Sequence, residues 1–309
     1  MESSRARRVP LLYVALATVA VVGGTAAGTV YVKAQAHSTR GAQSAVSSSA
    51  TPSVVAASGE ASVEPVAQPT VDLDGLLADA MESVTGADDA QVSVAVLDLD
   101  SGESASYGDA SFDTASIVKV DILAALLLQA QDEGRALTSA ERTYATAMIE
   151  NSDNVSASAL WETIGRAEGL GAANERFGLT DTEGGDGMLW GLTQTTAADQ
   201  LTLLQQVFGE DSELSEASRT YLQGLMGQIA VDQRWGVSAV ADGSGWALKN
   251  GWLPRSTTGL WDINSIGRVT VDGRDYLVAA LSDGNETKAD GVSLIEAAVK
   301  AAVSVFATA

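Results

Sequence analysis

One long stretch of helical periodicity lies between two groups of strand-like segments, and this order limits the folds that the chain can adopt. Apolar residues recur at helical spacing over 137–208, and a further helix is predicted over 213–229. Strand character is found at 91–98, in a short segment ending near Tyr107, and at 245–249, 259–265, 268–271 and 276–282. Additional helices are predicted at 71–84 and 290–306. We therefore expect a two-lobed α/β (α+β) fold, in which terminal helices flank an antiparallel sheet and the central block forms an all-helical lobe.

The first 70 residues differ in composition from the rest of the chain. Arg5, Arg7 and Arg8 precede an uncharged stretch, 9–32, that is long enough to span a bilayer. The Ala-Gln-Ala sequence that follows it is typical of a signal-peptidase site. We predict an N-terminal signal anchor or signal peptide over 1–36, a disordered Ser/Ala/Pro linker over 37–70 and a folded domain over 71–309. Whether the N-terminal segment is cleaved or retained, we expect the domain to be exported. It is then either secreted or held at the membrane through the N-terminal segment alone.

The amino-acid composition narrows the chemistry that the domain can perform. The chain has no cysteine, which excludes disulfides, thiolate nucleophiles and zinc–thiolate sites. Its one histidine, His37, lies in the predicted linker, so a Ser-His-Asp triad within the domain is excluded. The net charge of −22 would repel the phosphate backbone of nucleic acids, so we expect no nucleic-acid partner. A serine nucleophile in this domain must therefore be activated by a lysine or a carboxylate.

Ser116 and Lys119 stand at the start of an apolar helical run. Three residues apart, they would share one face of the first helical turn, which places an amine within reach of a hydroxyl. Free backbone N–H groups at a helix N-terminus would also favour an oxyanion there. Ser116 is thus a candidate nucleophile. The alternative is that Thr114 or Ser116 only caps the helix and that Lys119 is solvated.

Two further polar groups follow in the chain. Ser152, Asp153 and Asn154 lie within the helical block, where such residues also serve as helix caps. Lys249 ends a predicted strand and is followed by Asn250-Gly251, which alone would be read as a turn. Both simpler interpretations remain open when each motif is considered by itself.

Taken together, Ser-x-x-Lys, Ser-Asp-Asn and Lys-x-Gly occur in the order found in class A β-lactamases and penicillin-binding proteins. The chain resembles a divergent member of this superfamily over most of 71–309. The resemblance implies that Ser116 is acylated, that Lys119 accepts its proton and that Ser152 relays a proton to the leaving nitrogen. It also implies that Asn154 holds a substrate amide and that Lys249 supplies positive charge near a substrate carboxylate.

The third motif departs from the family pattern. Asn250 replaces the threonine hydroxyl that helps to hold the substrate carboxylate in the family. By resemblance, Asn250, Gly251 and Trp252 are assigned to substrate binding, and the backbone N–H groups of Ser116 and Trp252 to an oxyanion hole. We expect the Trp252 side chain to add bulk beside that hole.

Hydrolysis of an acyl-enzyme requires a further base, and the sequence supplies only weak candidates. The family's glutamate lies on a loop after Ser-Asp-Asn, and here the corresponding segment is the short, glycine-rich 181–193. Glu183 is the candidate catalytic carboxylate, with Asp186 beside it and Glu150 a weaker choice. Each is also readily explained as a solvated residue.

The sequence therefore predicts an exported serine hydrolase that acts on a β-lactam or a peptidoglycan-derived peptide. The alternatives are a penicillin-binding, D-Ala-D-Ala carboxypeptidase-like enzyme and a degenerate binding protein with the same fold. We expect a monomer with no cofactor and no metal, since Asp121, Asp153 and Asp262 do not form a recognisable ligand set. The tryptophans are expected mainly in packing, although Trp190 and Trp252 could line the cleft.

Overall fold

The computed structural model describes residues 71–85 and 90–308, which belong to one compact unit. The predictions for 1–36 and 37–70, including His37, lie outside the described residues. The helices are α1 (Leu73–Thr85), α2 (Val118–Asp132), α3 (Ser139–Glu150), α4 (Asn154–Thr163), α5 (Arg166–Phe177), α6 (Ala197–Phe208), α7 (Glu216–Met226) and α8 (Lys288–Thr308). The strands are β1 (Gln91–Asp98), β2 (Ser104–Tyr107), β3 (Phe112–Asp113), β4 (Gln194–Thr195), β5 (Trp246–Pro254), β6 (Trp261–Val271) and β7 (Arg274–Asn285).

Five strands form an antiparallel sheet in the order β2-β1-β7-β6-β5. The first strand pairs with the last, so that Val94 lies opposite Ala280. Strands β3 and β4 form a separate two-stranded ribbon. The site residues on β5 therefore lie on an edge strand of the main sheet.

Alternating side chains give the sheet two buried faces, each with its own core. Val92, Val94 and Val96 of β1 pack with α1 and α8, and Ala95 and Leu97 face the helices from α2 to α7. This is the predicted arrangement of terminal helices on one face and a helical lobe on the other. Within the described residues, no helix is long and apolar enough to span a membrane.

The main difference from the predicted elements concerns the strands that follow the helical lobe. The segments predicted at 259–265 and 268–271 form one continuous strand, β6, which begins at Trp261 and runs through Gly267. A Cβ at Gly267 would lie 2.4 Å from the carbonyl oxygen of Ala247 on β5, so glycine allows close pairing there. Strand β5 likewise runs on to Pro254 instead of ending at Lys249.

Asp121 is a fully buried carboxyl on α2, and it predicts a pH-dependent stability. Burial raises the pKa of Asp121 to about 7. The side chain of Asn174 lowers this pKa, and the charge of Asp199 raises it. The folded state therefore binds more protons than the unfolded chain between about pH 4 and 7, and stability falls as the pH rises through this window. We expect this group to account for about 4 kcal/mol of that fall, at 1.36 kcal/mol per pKa unit.

The measurement is urea unfolding at pH 4 and pH 7. Asp121→Asn should reduce the fall of the unfolding free energy between these pH values by about 4 kcal/mol, whereas the exposed Asp109→Asn should leave it unchanged. An Asp121→Asn variant with unchanged pH dependence would contradict the prediction.

Candidate active site

Ser116 lies in a 3-10 turn, Ala115–Ile117, immediately before α2. Neither Thr114 nor Ile117 caps through its side chain, so the simple capping interpretation of this motif is wrong. Asn264 on β6 holds this turn in place. Its Nδ2 donates to the carbonyl oxygens of Asp113 at 2.9 Å and Thr114 at 3.0 Å. Ser116 itself is only partly buried.

The Lys119 amine is the centre of the site. Its Nζ lies 3.0 Å from Ser116 Oγ, 3.0 Å from Ser152 Oγ and 2.7 Å from the Ser152 carbonyl oxygen. A fourth contact, at 2.7 Å, is to Asn154 Oδ1. Lys119 is fully buried, so the alternative of a solvated lysine is also wrong.

The Ser-Asp-Asn segment combines a helix cap with a contribution to the site. The cap is Asp153, whose Oδ1 accepts a hydrogen bond from Ser156 N at 2.7 Å at the start of α4. Ser152 precedes it with φ of 55°, in the left-handed region that L-residues other than Asn and Asp seldom adopt. This backbone conformation accompanies the contact of both Ser152 oxygens with Lys119. Asn154 is exposed, and its Nδ2 is left available to a ligand.

A second buried lysine completes the cluster. Lys249 Nζ donates to Ser152 Oγ at 3.1 Å and to the Asn250 carbonyl oxygen at 3.0 Å, and the residue is fully buried. Both amines therefore contact the same hydroxyl, that of Ser152.

Burial sets the protonation of the two lysines. It lowers the pKa of Lys119 to about 7, and Asp153 opposes this by favouring the charged form. Burial, followed by repulsion from Lys119, lowers the pKa of Lys249 well below its usual value. A neutral Lys119 can accept the Ser116 proton.

The second and third residues of the Lys-Asn-Gly motif have different surroundings. Gly251 lies against the Ser116 turn: a Cβ there would be 2.7 Å from the Thr114 carbonyl oxygen and 2.9 Å from Ser116 N. Asn250 is on the other face of β5, where its Nδ2 donates to the carbonyl oxygens of Gln233 at 2.7 Å and Trp235 at 3.0 Å. The structure does not bring the Asn250 amide to the cluster, because β5 continues and its side chains alternate between faces.

Trp252 also points away from Gly251. Its ring centroid lies 6.1 Å from that of Trp235, and Lys288 Nζ lies 4.0 Å above the Trp252 ring. The indole therefore does not crowd the backbone beside Ser116, contrary to the expectation from sequence. The backbone of Trp252 continues along β5 past the site, while its side chain points away from the site.

The structure does not bring the expected carboxylates to Ser116 either. Glu183 is exposed, and its backbone pairs with Gln194. Asp186 is exposed in the same loop, and Glu150 contacts Ala230 only through its carbonyl oxygen. Over 71–85 and 90–308, no Asp or Glu side chain forms a hydrogen bond or ion pair with Ser116, Lys119 or Lys249.

An indole lies over the cluster. The ring centroid of Trp190 is 4.9 Å from Lys119 Nζ, and Trp190 Nε1 donates to Ser158 Oγ at 3.1 Å. The sequence offered Trp190 as a possible cleft residue but gave no reason to place it on Lys119. Trp161 is fully buried, as expected for packing.

The cluster brings together the hydroxyl of the partly buried Ser116, a buried amine of lowered pKa and a second hydroxyl in contact with two amines. Such a set can generate a serine nucleophile and pass its proton onward without histidine. Among the described residues, no group of three or more His, Cys, Asp or Glu side chains is placed to hold a metal ion.

Comparisons with known proteins identify the family and the fold. The sequence model of a family described as the β-lactamase enzyme family matches residues 76–145 and 138–306. Among curated proteins, none matches the chain significantly.

Solved structures share the fold at low sequence identity. A class A β-lactamase from Bacteroides cellulosilyticus DSM 14838 is 17% identical, with a TM-score of 0.67 over 78% of this chain and 100% of that one. A β-lactamase from Sphaerobacter thermophilus DSM 20745 is 19% identical, with a TM-score of 0.63 over 76% and 98%. A mutant of PBP-A, solved as an acyl-enzyme complex with penicillin G, is 22% identical, with a TM-score of 0.64 over 76% and 97%. These likenesses confirm the predicted two-lobed fold.

Proposed function

Since the chain belongs to the β-lactamase enzyme family, as its three motifs predicted, we propose that it is a serine hydrolase that forms an acyl-enzyme on Ser116. The substrate proposed is a β-lactam or a related cell-wall amide. The observation that carries the proposal is the 3.0 Å contact between Ser116 Oγ and the amine of fully buried Lys119.

Acylation can be written with the residues of the cluster. Neutral Lys119 accepts the hydroxyl proton as Ser116 Oγ attacks the carbonyl carbon of the amide. Ser152 Oγ, in contact with both lysine amines, then passes a proton to the amide nitrogen as the C–N bond breaks. The product is a serine ester with a protonated leaving nitrogen, and Lys119 supplies the proton that Ser152 relays.

Substrate binding is assigned to groups that remain available around the pair. The Nδ2 of exposed Asn154 can donate to a substrate carbonyl. The backbone N–H groups of Ser116 and Trp252 are proposed to stabilise the developing oxyanion. A bound substrate carboxylate would favour protonation of Lys249, which burial disfavours in its absence.

The absence of a carboxylate contact favours slow hydrolysis of the ester. No Asp or Glu side chain of the described residues hydrogen-bonds or ion-pairs with Ser116 or Lys119, so these two residues hold no carboxylate in place as a base for water. This supports a long-lived acyl-enzyme, as in a penicillin-binding or D-Ala-D-Ala carboxypeptidase-like protein, over rapid β-lactam turnover.

The proposal is tested by intact-protein mass spectrometry of the full chain incubated with penicillin G, with Ser116→Ala as the control. We expect a covalent adduct that persists after free penicillin is removed and is absent in the variant. An adduct that vanishes within seconds would indicate rapid β-lactamase turnover. No adduct at all would contradict the penicillin-reactive function.

The pH dependence of acylation follows from the protonation of Lys119. Only the neutral amine accepts a proton, so the acylation rate should rise with pH, reach half its maximum near pH 7 and level off above it. Rapid-quench mass spectrometry between pH 5 and pH 9 measures this rate. A rate independent of pH over this range would rule out Lys119 as the base.

The location and partners of the protein are also proposals. The basic, then apolar, N-terminal segment supports export of the domain, with membrane contact through that segment alone. Fractionation of cells expressing the full chain, with protease added outside the cytoplasmic membrane, tests whether the domain is exposed there. Protection of the domain in intact cells would contradict export.

A further inference from the structure

The Trp190 side chain covers the amine that the proposed mechanism uses as its base. The ring centroid lies 4.9 Å from Lys119 Nζ, within the range of a cation–π contact. The hydrogen bond from Trp190 Nε1 to Ser158 Oγ, at 3.1 Å, fixes the edge of the ring to α4. The indole is thus positioned by a specific contact.

The backbone around Trp190 is tied to the Ser116 turn. The Thr193 carbonyl oxygen accepts from Thr114 N at 2.8 Å, and Thr193 Oγ1 accepts from Gly185 N at 3.2 Å. Gly191 lies over the same turn, since a Cβ on it would be 3.9 Å from Ala115 Cα. These contacts hold the segment that carries the ring against the nucleophile.

No charged group accompanies the indole on this side of the amine. The charged residues near Lys119 on other elements are Asp153, at the start of α4, which favours the charged amine, and Lys249 of β5, whose pKa Lys119 lowers. The Asp153 carboxylate is engaged by Ser156 N, and Asp121, on α2 itself, interacts with Asn174 and Asp199. The loop that supplies Trp190 contributes only exposed carboxylates.

We propose that Trp190 is a positioning residue that keeps water from the Ser116–Lys119 pair and thereby prolongs the acyl-enzyme. This inference rests on the proposed function. Hydrolysis requires a water oxygen to attack the ester carbonyl carbon while a base takes its proton. The Ser116 Oγ–C bond then breaks, and the serine oxygen recovers a proton. The ring occupies the space beside Lys119 in which that amine could act on such a water.

Removing the ring should change two measurable properties. Water would reach the ester, so the adduct should decay faster. Water would also hydrate the amine, and because burial is the main cause of the lowered pKa of Lys119, that pKa should rise. Loss of the cation–π contact acts in the opposite direction, by about 1.5 pKa units for a desolvated pair. Burial lowers the pKa of Lys119 from 10.5 to about 7, so hydration of the amine should outweigh this loss.

The experiment compares Trp190→Ala, Trp190→Phe and Ser158→Ala with the wild-type chain. Adduct decay is followed by mass spectrometry after removal of free penicillin G, and the acylation rate is followed against pH. Trp190→Ala should shorten the adduct lifetime about tenfold or more and raise the pH midpoint by about one unit. Trp190→Phe should keep both within about twofold and about half a pH unit, and Ser158→Ala should fall between them.

Trp246→Ala is the matched control, because Trp246 is partly buried against Arg234 and does not contact the cluster. It should alter neither property. Equal lifetimes and midpoints in Trp190→Ala and the wild type would overturn the inference, as would a longer lifetime in Trp190→Ala. Thermal unfolding of each variant shows whether it is folded. If Trp190→Ala is not, Ser158→Ala decides the matter, because it should still shorten the adduct lifetime and an unchanged lifetime would overturn the inference.

A separate measurement distinguishes failure of this inference from failure of the proposed function. If the wild type forms no adduct, the proposed function fails. The Lys119 titration can still be followed in the free protein by NMR of labelled lysine side chains, with the Lys119→Met spectrum as the assignment. An unchanged titration in Trp190→Ala would then contradict the water-excluding role.

Discussion

Lys119→Met should slow acylation of Ser116 by about 10²- to 10⁴-fold, the usual contribution of a general base, and should also stabilise the folded protein. The rate falls because thioether sulfur cannot accept the Ser116 proton at neutral pH. Stability rises because folding buries an amine that is charged in the unfolded chain, and burial disfavours its charge. Methionine has a similar length and carries no such cost.

The size of the stability gain follows from the protonation of Lys119. The pKa falls from 10.5 to about 7 on folding, which at pH 7 corresponds to about 4 kcal/mol. Hydrogen bonds to Ser152 and Asn154 are lost with the amine, so we expect a net gain of about 1–3 kcal/mol. Between pH 7 and 10.5 the unfolded chain binds more protons than the folded one. Wild-type stability therefore rises with pH there, and the advantage of methionine should shrink.

Urea unfolding at pH 7 and pH 10, together with the rate of adduct formation, measures both effects. Lys300→Met on α8 is the control, since Lys300 is exposed, and it should leave both quantities near their wild-type values. Loss of stability in Lys119→Met, or acylation at the wild-type rate, would show that Lys119 is not a buried base.

Gly251→Ala should reduce acylation by about 10²-fold or more and destabilise the domain by about 1–3 kcal/mol, as overpacking does. A Cβ at this position would lie 2.7 Å from the Thr114 carbonyl oxygen, 2.9 Å from Ser116 N and 3.0 Å from Ile117 N. All three are backbone atoms, so no side chain can rotate to make room. The turn that carries the nucleophile must move away from β5.

The matched control is Gly224→Ala on α7, where an added Cβ meets nothing within 4 Å. Helix propensity predicts that this change stabilises the protein by up to about 1 kcal/mol. Acylation rates and urea midpoints are compared for the two variants. If Gly251→Ala were as active and as stable as Gly224→Ala, the close approach of β5 to the Ser116 turn would not be required.

The parts of the site that could be predicted from sequence are those with local spacing. Ser116 and Lys119 are three residues apart, so one turn suffices to bring them together, and the order of the motifs supplied Ser152 and Lys249. Asn250 was misplaced because the strand was predicted to end at Lys249. One more strand residue moves a side chain to the opposite face.

Other features depend on contacts between distant residues and left no local pattern. Trp190 meets Lys119 across 71 positions of the sequence, and nothing in the spacing of the tryptophans separates it from those used in packing. Asp121 interrupts an apolar run, and a charged residue in such a run is normally predicted to be solvated. In the structure, however, α2 is buried on all sides at this position. Glu183 was selected by its position in a loop, and its side chain is exposed.

The pairing of β1 with β7 has a consequence for when the nucleophile becomes reactive. Gln91 of β1 lies opposite Asp283 of β7. Lys249, which contacts Ser152, lies on β5, two strands beyond β7 in the same sheet. Contacts of such long sequence separation form late, because closing the intervening loop has an entropic cost that only the completed sheet offsets. A growing chain that has already made Ser116 and Lys119 therefore has no working base–relay pair until its last strand is in place. On the proposed mechanism, folding itself is the activation step of the serine nucleophile.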